Sequence, residues 1–99
     1  MTIRLAHVAA DGARIYHDDA HAITAIVGSP RAIFDRCRRS YRDFDLYAVP
    51  HDRVVVLVRF DVDLDEVSRA TSLAQSECWL SLAACDLAAI VEPAMPCSP

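Results

Sequence analysis

The chain has 99 residues, of which 54% are hydrophobic and 24% charged, with five prolines and two glycines. This length allows one hydrophobic core, and the composition excludes a disordered, collagen-like or low-complexity chain. Fourteen acidic residues outnumber ten basic residues, all of them arginine, for a net charge of -4. Nucleic-acid-binding proteins carry a basic surplus, so we expect no nucleic-acid partner. We predict a single domain over residues 1–92 and a proline-rich C-terminal tail over residues 93–99.

The sequence shows no segment typical of secretion or membrane insertion. Its start carries Arg4 and Asp11 and lacks an apolar run of signal-peptide length. No stretch approaches the roughly 18 uncharged apolar residues of a membrane span, so we expect a cytoplasmic protein without a membrane partner. The four cysteines form no CxxC pair and no Cys/His spacing typical of zinc. We therefore predict reduced thiols, no metal and no cofactor.

Alternating apolar and polar residues predict a β-hairpin at the start of the chain. Residues 2–9 and 13–17 alternate in this way, and Asp11-Gly12 between them is a strong turn signal. The next segment, residues 22–27, is short, apolar on both faces and rich in β-branched side chains. Such a segment is typical of an interior strand.

The first predicted helix begins at a capping sequence. Ser29 is placed as the N-cap, and Pro30 is placed as the first helical residue, where its missing N–H group costs nothing. From Ile33 onward, apolar side chains recur on one face of the helix. This periodicity predicts a helix over residues 30–41.

Two strands are predicted after this helix. Residues 45–49 form a short strand that ends at Pro50, and residues 53–60 form a longer one. The run from Val54 to Val58 is aliphatic throughout, which is typical of a strand buried on both faces. We therefore predict that the longer strand lies in the centre of the sheet.

A second helix is predicted after the acidic residues that follow this strand. Asp63 is a natural N-cap, and Asp65 and Glu66 lie in the first turn, where the helix dipole favours negative charge. Mostly small apolar residues then recur every three or four positions, which predicts a helix over residues 64–84. Residues 86–92 are predicted to form a closing strand.

The order of these elements predicts the fold class. A hairpin is followed by strand, helix, strand, strand, helix and strand. This order predicts an α+β two-layer sandwich, in which an antiparallel or mixed sheet of about five strands is covered on one face by two helices. The split βαβ arrangement resembles the ferredoxin-like superfold, which is compatible with many unrelated functions.

No pattern in the sequence indicates catalysis or metal binding. His17 and His21 flank two aspartates, but in an extended segment they would lie about 13 Å apart, too far to share an ion. The serines and cysteines occur in no nucleophile signature. We therefore expect a protein that is not an enzyme and has no metal site.

Two acidic segments are the candidate partner-binding surface. Their residues are Asp18, Asp19, Asp61, Asp63, Asp65 and Glu66. Carboxylates in this number attract a basic protein, such as a nuclease toxin with a basic active site. A small acidic domain without catalytic motifs resembles, in profile only, the immunity proteins that neutralise toxins. This profile implies an immunity or antitoxin-type inhibitor.

Two alternative functions stay open from the sequence alone. In the first, the chain is a homodimeric ligand-binding or regulatory domain with an interface formed by Leu73, Trp79 and Leu80. These large side chains lie away from the small-residue face of the predicted helix, where a two-layer domain would leave them partly exposed. In the second, the chain is a small enzyme that uses His and Asp residues near the hairpin.

Overall fold

The computed structural model of the protein describes residues 3–20, 22–39, 42–49, 53–73 and 79–91. These residues form six strands and three helices. In chain order they are β1 (Arg4–Val8), β2 (Arg14–His17), β3 (Ala25–Gly28), α1 (Pro30–Cys37), β4 (Phe44–Val49), β5 (Val54–Arg59), α2 (Leu64–Thr71), β6 (Leu80–Leu82) and α3 (Ala84–Val91). The protein is an α+β structure, as predicted, with one strand and one helix more than expected.

All six strands belong to one antiparallel sheet in the order β1-β2-β3-β5-β4-β6. The predicted hairpin is confirmed, and its turn contains Gly12 at a φ of 88°, a conformation that favours glycine. The predicted central strand is confirmed as β5. Its Val56 is fully buried and lies opposite Val27 of β3 on one side and Tyr47 of β4 on the other.

Helices cover both faces of the sheet. On one face, Val56 of β5 packs in a buried cluster with Val67 of α2. On the other face, Leu57 packs in a second cluster with Ile33 of α1 and Leu87 of α3. Successive residues of a strand point to opposite faces, so the aliphatic run of β5 supplies both clusters. The prediction of two helices on a single face is therefore wrong.

The order of the strands explains this arrangement of the helices. Helix α1 connects β3 to β4 across β5, and α2 leads from β5 to β6 across β4. Both connections skip one strand and lead towards the β6 edge of the sheet. Their first strands, β3 and β5, are antiparallel to each other. Right-handed connections then place their helices on opposite faces. A ferredoxin-like domain would return its last strand to lie beside β3, whereas here β6 pairs with β4. The ferredoxin-like topology is not confirmed.

Helix α1 begins where the sequence predicts. The Ser29 side chain accepts a hydrogen bond from the backbone N–H of Ala32 at 3.2 Å, and Pro30 is the first helical residue. The helix ends at Cys37, and Arg38 is its C-cap. The predicted helix over residues 30–41 is therefore too long, because residues 38 and 39 are not helical, while residue 41 lies outside the described residues.

Helix α2 is much shorter than the predicted helix over residues 64–84. It ends at Thr71 because Ser72 adopts the left-handed conformation, with φ 61°. The Thr71 hydroxyl donates to the carbonyl of Val67 at 2.7 Å, and the Ser68 hydroxyl donates to the carbonyl of Leu73. These hydroxyl groups satisfy backbone carbonyls near the end of the helix. Strand β6 then occupies part of the segment that was predicted to be helical.

Residues 84–91 form helix α3, so the predicted closing strand over residues 86–92 is wrong. The carboxylate of Asp86 accepts a hydrogen bond from the backbone N–H of Ala83 at 3.2 Å, as an acidic side chain in the first turn of a helix commonly does. Leu87 is fully buried in the cluster that contains α1. Residue 92 and the predicted tail over residues 93–99 lie outside the described residues.

Candidate functional site

The structure brings the two predicted acidic segments to one end of the sheet. The backbone N–H of Arg59, at the end of β5, donates to the carbonyl of Thr24 at 3.1 Å. The hydroxyl of Thr24 accepts from the backbone N–H of Asp18 at 3.2 Å. The backbone N–H of Phe60 donates to the carbonyl of Asp43 at 3.1 Å. We call this surface the acidic end, and its described residues are 18–20, 22–24, 42–45 and 59–66.

Phe60 is an exposed aromatic residue in the middle of the acidic end. Its exposed fraction is 58%, and it lies between Arg59 and Asp61 directly after β5. Exposed aromatic side chains at protein surfaces often anchor interfaces. Phe60 is not among the candidates selected from the sequence, although its position directly after a buried strand and before a run of acids could have identified it.

A small cleft opens at the acidic end, on the face of the sheet that α1 covers. It has a volume of about 270 Å³ and is lined by Ala22, Ile23, Asp43, Phe44 and Arg59. Ile23 and Phe44 provide apolar walls, and Asp43 provides a carboxylate. Arg59 adds a guanidinium to the same lining, so the cleft holds one acidic and one basic residue.

Two of the predicted acids form exposed ion pairs with arginines of the same chain. Arg59 Nη2 lies 3.3 Å from Asp61 Oδ2, and Arg4 Nη2 lies 3.0 Å from Asp19 Oδ1. Exposed pairs of this kind contribute only about 0–1 kcal/mol to stability.

Two other predicted acids have structural roles. Asp63 caps α2, since its Oδ1 accepts a hydrogen bond from the backbone N–H of Asp65 at 3.0 Å. Asp18 is buried, and its Oδ1 accepts from the backbone N–H of Ala20 at 2.8 Å, which shapes the loop between β2 and β3. Glu66 is half-buried in the first turn of α2. Of the predicted acids, Asp19, Asp61 and Asp65 are exposed and do not cap the helix.

The structure does not place Leu73, Trp79 and Leu80 on one helix, because α2 ends before all three. Leu73 and Trp79 are half-buried against the cluster on the α2 face, and the ring of Trp79 meets that of Tyr47 edge to face, with 6.1 Å between their centroids. Leu80 is exposed on β6 opposite Ala48. Its side chain lies on the other face of the sheet, because it alternates with Ser81 and shares a side with Leu82.

The described residues contain no group of three or more His, Cys, Asp or Glu side chains that could hold a metal ion. His21 lies outside them, so the predicted His17 to His21 loop is only partly described. Cys37 and Cys85 are free thiols. Burial raises the pKa of the Cys37 thiol, which keeps it protonated and weakly nucleophilic at neutral pH.

Comparison with known proteins found no relative of this chain. The chain matches no protein-family model, no curated protein and no solved structure. None of the helices in the described part of the chain combines the length and the apolar character required to cross a membrane. The acidic end, with its exposed aromatic residue and adjoining cleft, is the candidate site from which a function can be argued.

Proposed function

We propose that the protein is a small binding module whose acidic end docks onto a basic protein partner. The observation that carries this proposal is the exposed Phe60, which directly follows β5 at the acidic end, precedes Asp61 and is bonded through its backbone N–H to the loop that contains Asp43. An aromatic anchor with charged residues around it is typical of protein interfaces, where a few central side chains supply most of the binding energy. The chain acts in this proposal by binding and not by catalysis.

The charge of the acidic end favours a basic partner. Asp19, Asp61 and Asp65 are exposed there, and the whole chain carries a net charge of -4. Complementary charges accelerate association most at low ionic strength, since salt screens exposed charges beyond about 10 Å at 0.1 M. The exposed pairs with Arg4 and Arg59 hold two of these carboxylates in place before the partner arrives.

The specific form of this proposal is an immunity or antitoxin-type inhibitor in the cytoplasm. Such a protein would cover the basic active site of a nuclease toxin, and the carboxylates would take the place of substrate phosphates. What supports this form is the number of acids after β5. One N-cap and one or two acids in the first turn suffice for α2, so the acids after β5 exceed what capping this helix requires.

The proposal is tested by purifying the full chain from its native host at low salt and measuring its mass by native mass spectrometry. We expect a one-to-one complex with a basic protein that dissociates as the salt concentration rises. If the basic protein is a nuclease, adding the purified chain should abolish its cleavage of nucleic acid. A chain that purifies alone, or only with copies of itself, would contradict the proposal and favour the homodimeric alternative.

Two sets of variants of this protein then test, with the captured partner, whether the acidic end is the binding surface. Replacing Asp61 with Asn and Glu66 with Gln should slow association about tenfold at low salt and flatten its salt dependence. Phe60→Ser should accelerate dissociation instead, because it removes a contact of the bound state. Asp35→Asn, which removes one negative charge from α1 together with its pair with Arg31, is the control and should change neither rate.

A further inference from the structure

An apolar groove lies at the end of the sheet opposite the acidic end. Strands β4, β5 and β6 form its floor, and α1 and α3 border it. Its apolar lining includes Pro30, Ala48, Val55, Leu80, Leu82 and Ile90. The volume of the groove is about 570 Å³, which falls within the range of roughly 300–1,000 Å³ that is typical of small-molecule sites. Leu80 and Ile90 are 52% and 47% exposed.

Arg53 is the single charged residue among those that line the groove in the described part of the chain. It is exposed, and no carboxylate among the described residues forms an ion pair with it. Its φ is 53°, in the left-handed region. A residue with a Cβ is sterically strained in this region, whereas glycine is not. Arg53 therefore lines an apolar groove from a backbone conformation that glycine would adopt without strain.

We infer that this groove binds a small amphiphile with an aliphatic chain and a carboxylate head. The aliphatic chain of the ligand lies along Ala48, Leu80 and Ile90, which removes apolar surface from water. The carboxylate is held by the guanidinium of Arg53, whose planar donor fork matches its two oxygens. A cationic amphiphile would instead be repelled by Arg53.

The groove is independent of the partner-binding surface proposed above. Arg53 precedes β5 and Phe60 follows it, so the full length of this strand separates the two sites. A ligand in the groove therefore leaves the acidic end accessible, and either site can fail its test without affecting the other.

The inference is tested on the full chain with dodecanoate and with dodecanol, which has the same aliphatic chain and an uncharged head. Calorimetric titration below the concentration at which either compound aggregates measures both affinities. We expect one dodecanoate per chain, bound about tenfold more tightly than dodecanol because of the charge-assisted bonds to Arg53. Equal affinities, or no binding of dodecanoate, would overturn the inference.

Substitution of Arg53 separates the contribution of the ligand's carboxylate head to the affinity from that of its aliphatic chain. Arg53→Gly suits the left-handed backbone, so it leaves the fold intact. It should reduce the affinity for dodecanoate to that for dodecanol and leave the affinity for dodecanol unchanged. Arg53→Lys should keep part of the preference for the carboxylate. The matched control is Arg69→Gln on α2, an exposed arginine that does not line the groove, which should affect neither ligand. A variant without Arg53 that still prefers dodecanoate would overturn the assignment.

Substitution of Ile90 tests the apolar part of the groove. Ile90→Glu should abolish the binding of both compounds, whereas Val8→Glu on β1, where the side chain is 58% exposed, should leave both unchanged. Sedimentation velocity of the same proteins detects the competing occupant, a second copy of the chain. A dimer that Ile90→Glu converts to a monomer would show that another copy covers the groove, and would overturn the inference.

Discussion

The guanidinium of Arg36, on α1, lies 3.1 Å from each carboxylate oxygen of Asp11 in the turn between β1 and β2. The same carboxylate accepts a hydrogen bond from the backbone N–H of Ala13 at 3.1 Å. This backbone bond, and after it the contact with Arg36, hold the pKa of Asp11 below its ordinary value. The pair ties the N-terminal hairpin to the first helix.

The ionised form of Asp11 should make stability depend on pH. Because the pKa of Asp11 is lower in the folded than in the unfolded state, its contribution is complete above the unfolded pKa and is lost as pH falls through the folded pKa. Asp11→Asn should destabilise the protein at neutral pH by about 1 kcal/mol or less, since the carboxylate is partly exposed. Urea unfolding should show this difference shrinking to zero in acid. A difference that does not vary with pH would contradict this assignment.

Because β5 is buried, we expect a charged side chain in its interior to lower the stability of the protein strongly. Val56→Asp places a carboxylate between two strands at a fully buried position, which should cost several kcal/mol, comparable with the stability of a domain of this size. Val8→Asp on the edge strand β1 introduces the same charge at an exposed position and should change stability little. Thermal unfolding followed by circular dichroism compares the two. A Val56→Asp protein that melts cooperatively near the native temperature would refute the central position of β5.

The left-handed Ser72 at the end of α2 predicts a stabilising substitution. Glycine adopts this conformation without the steric cost that a Cβ brings, so Ser72→Gly should raise the free energy of unfolding by about 1 kcal/mol. Thr71→Gly, one residue earlier and still helical, should destabilise the protein because glycine is a poor helix former and the Thr71 hydroxyl bonds are lost. Urea denaturation measures both. A destabilised Ser72→Gly variant would rule out the left-handed cap as the end of α2.

The two described cysteines should differ in reactivity. Cys85 is exposed on α3, whereas Cys37 is half-buried and its thiol has a raised pKa. Because the thiolate is the reactive form, iodoacetamide should modify Cys85 first in the native protein and Cys37 later. Peptide mass spectrometry assigns each modification, and titration of the unfolded protein should count four free thiols, as the sequence predicts. Faster modification of Cys37 would contradict its burial.

The elements that the sequence predicts well are those determined by neighbouring residues. The Asp11-Gly12 turn, the Ser29 cap and the aliphatic run of β5 each depend on local geometry, and each occurs as expected. Periodicity does not show the end of α2, because the apolar pattern continues past Ser72, whereas the hydroxyl groups of Ser68 and Thr71 bond to backbone carbonyls near the end of the helix.

The elements that could not be predicted depend on pairing between distant parts of the chain. Whether α2 covers the same face as α1 depends on which strand β6 joins, and no local pattern specifies this choice. The candidate site shows the same division. The sequence identifies the acids around Asp18 and Asp61 separately, but the pairing of β3 with β5 is what brings them together around Phe60.

The position of β5 between β3 and β4 also has a consequence for the kinetics of folding. The β1–β2 and β4–β5 hairpins close short loops, whereas the pairing of Ile26 with Leu57 encloses α1 and β4. Closing that longer loop costs more chain entropy and is repaid only when both strands are in register. Stopped-flow measurements should therefore show that Ile26→Val mainly slows refolding, while Leu5→Ala on the outer hairpin strand mainly accelerates unfolding.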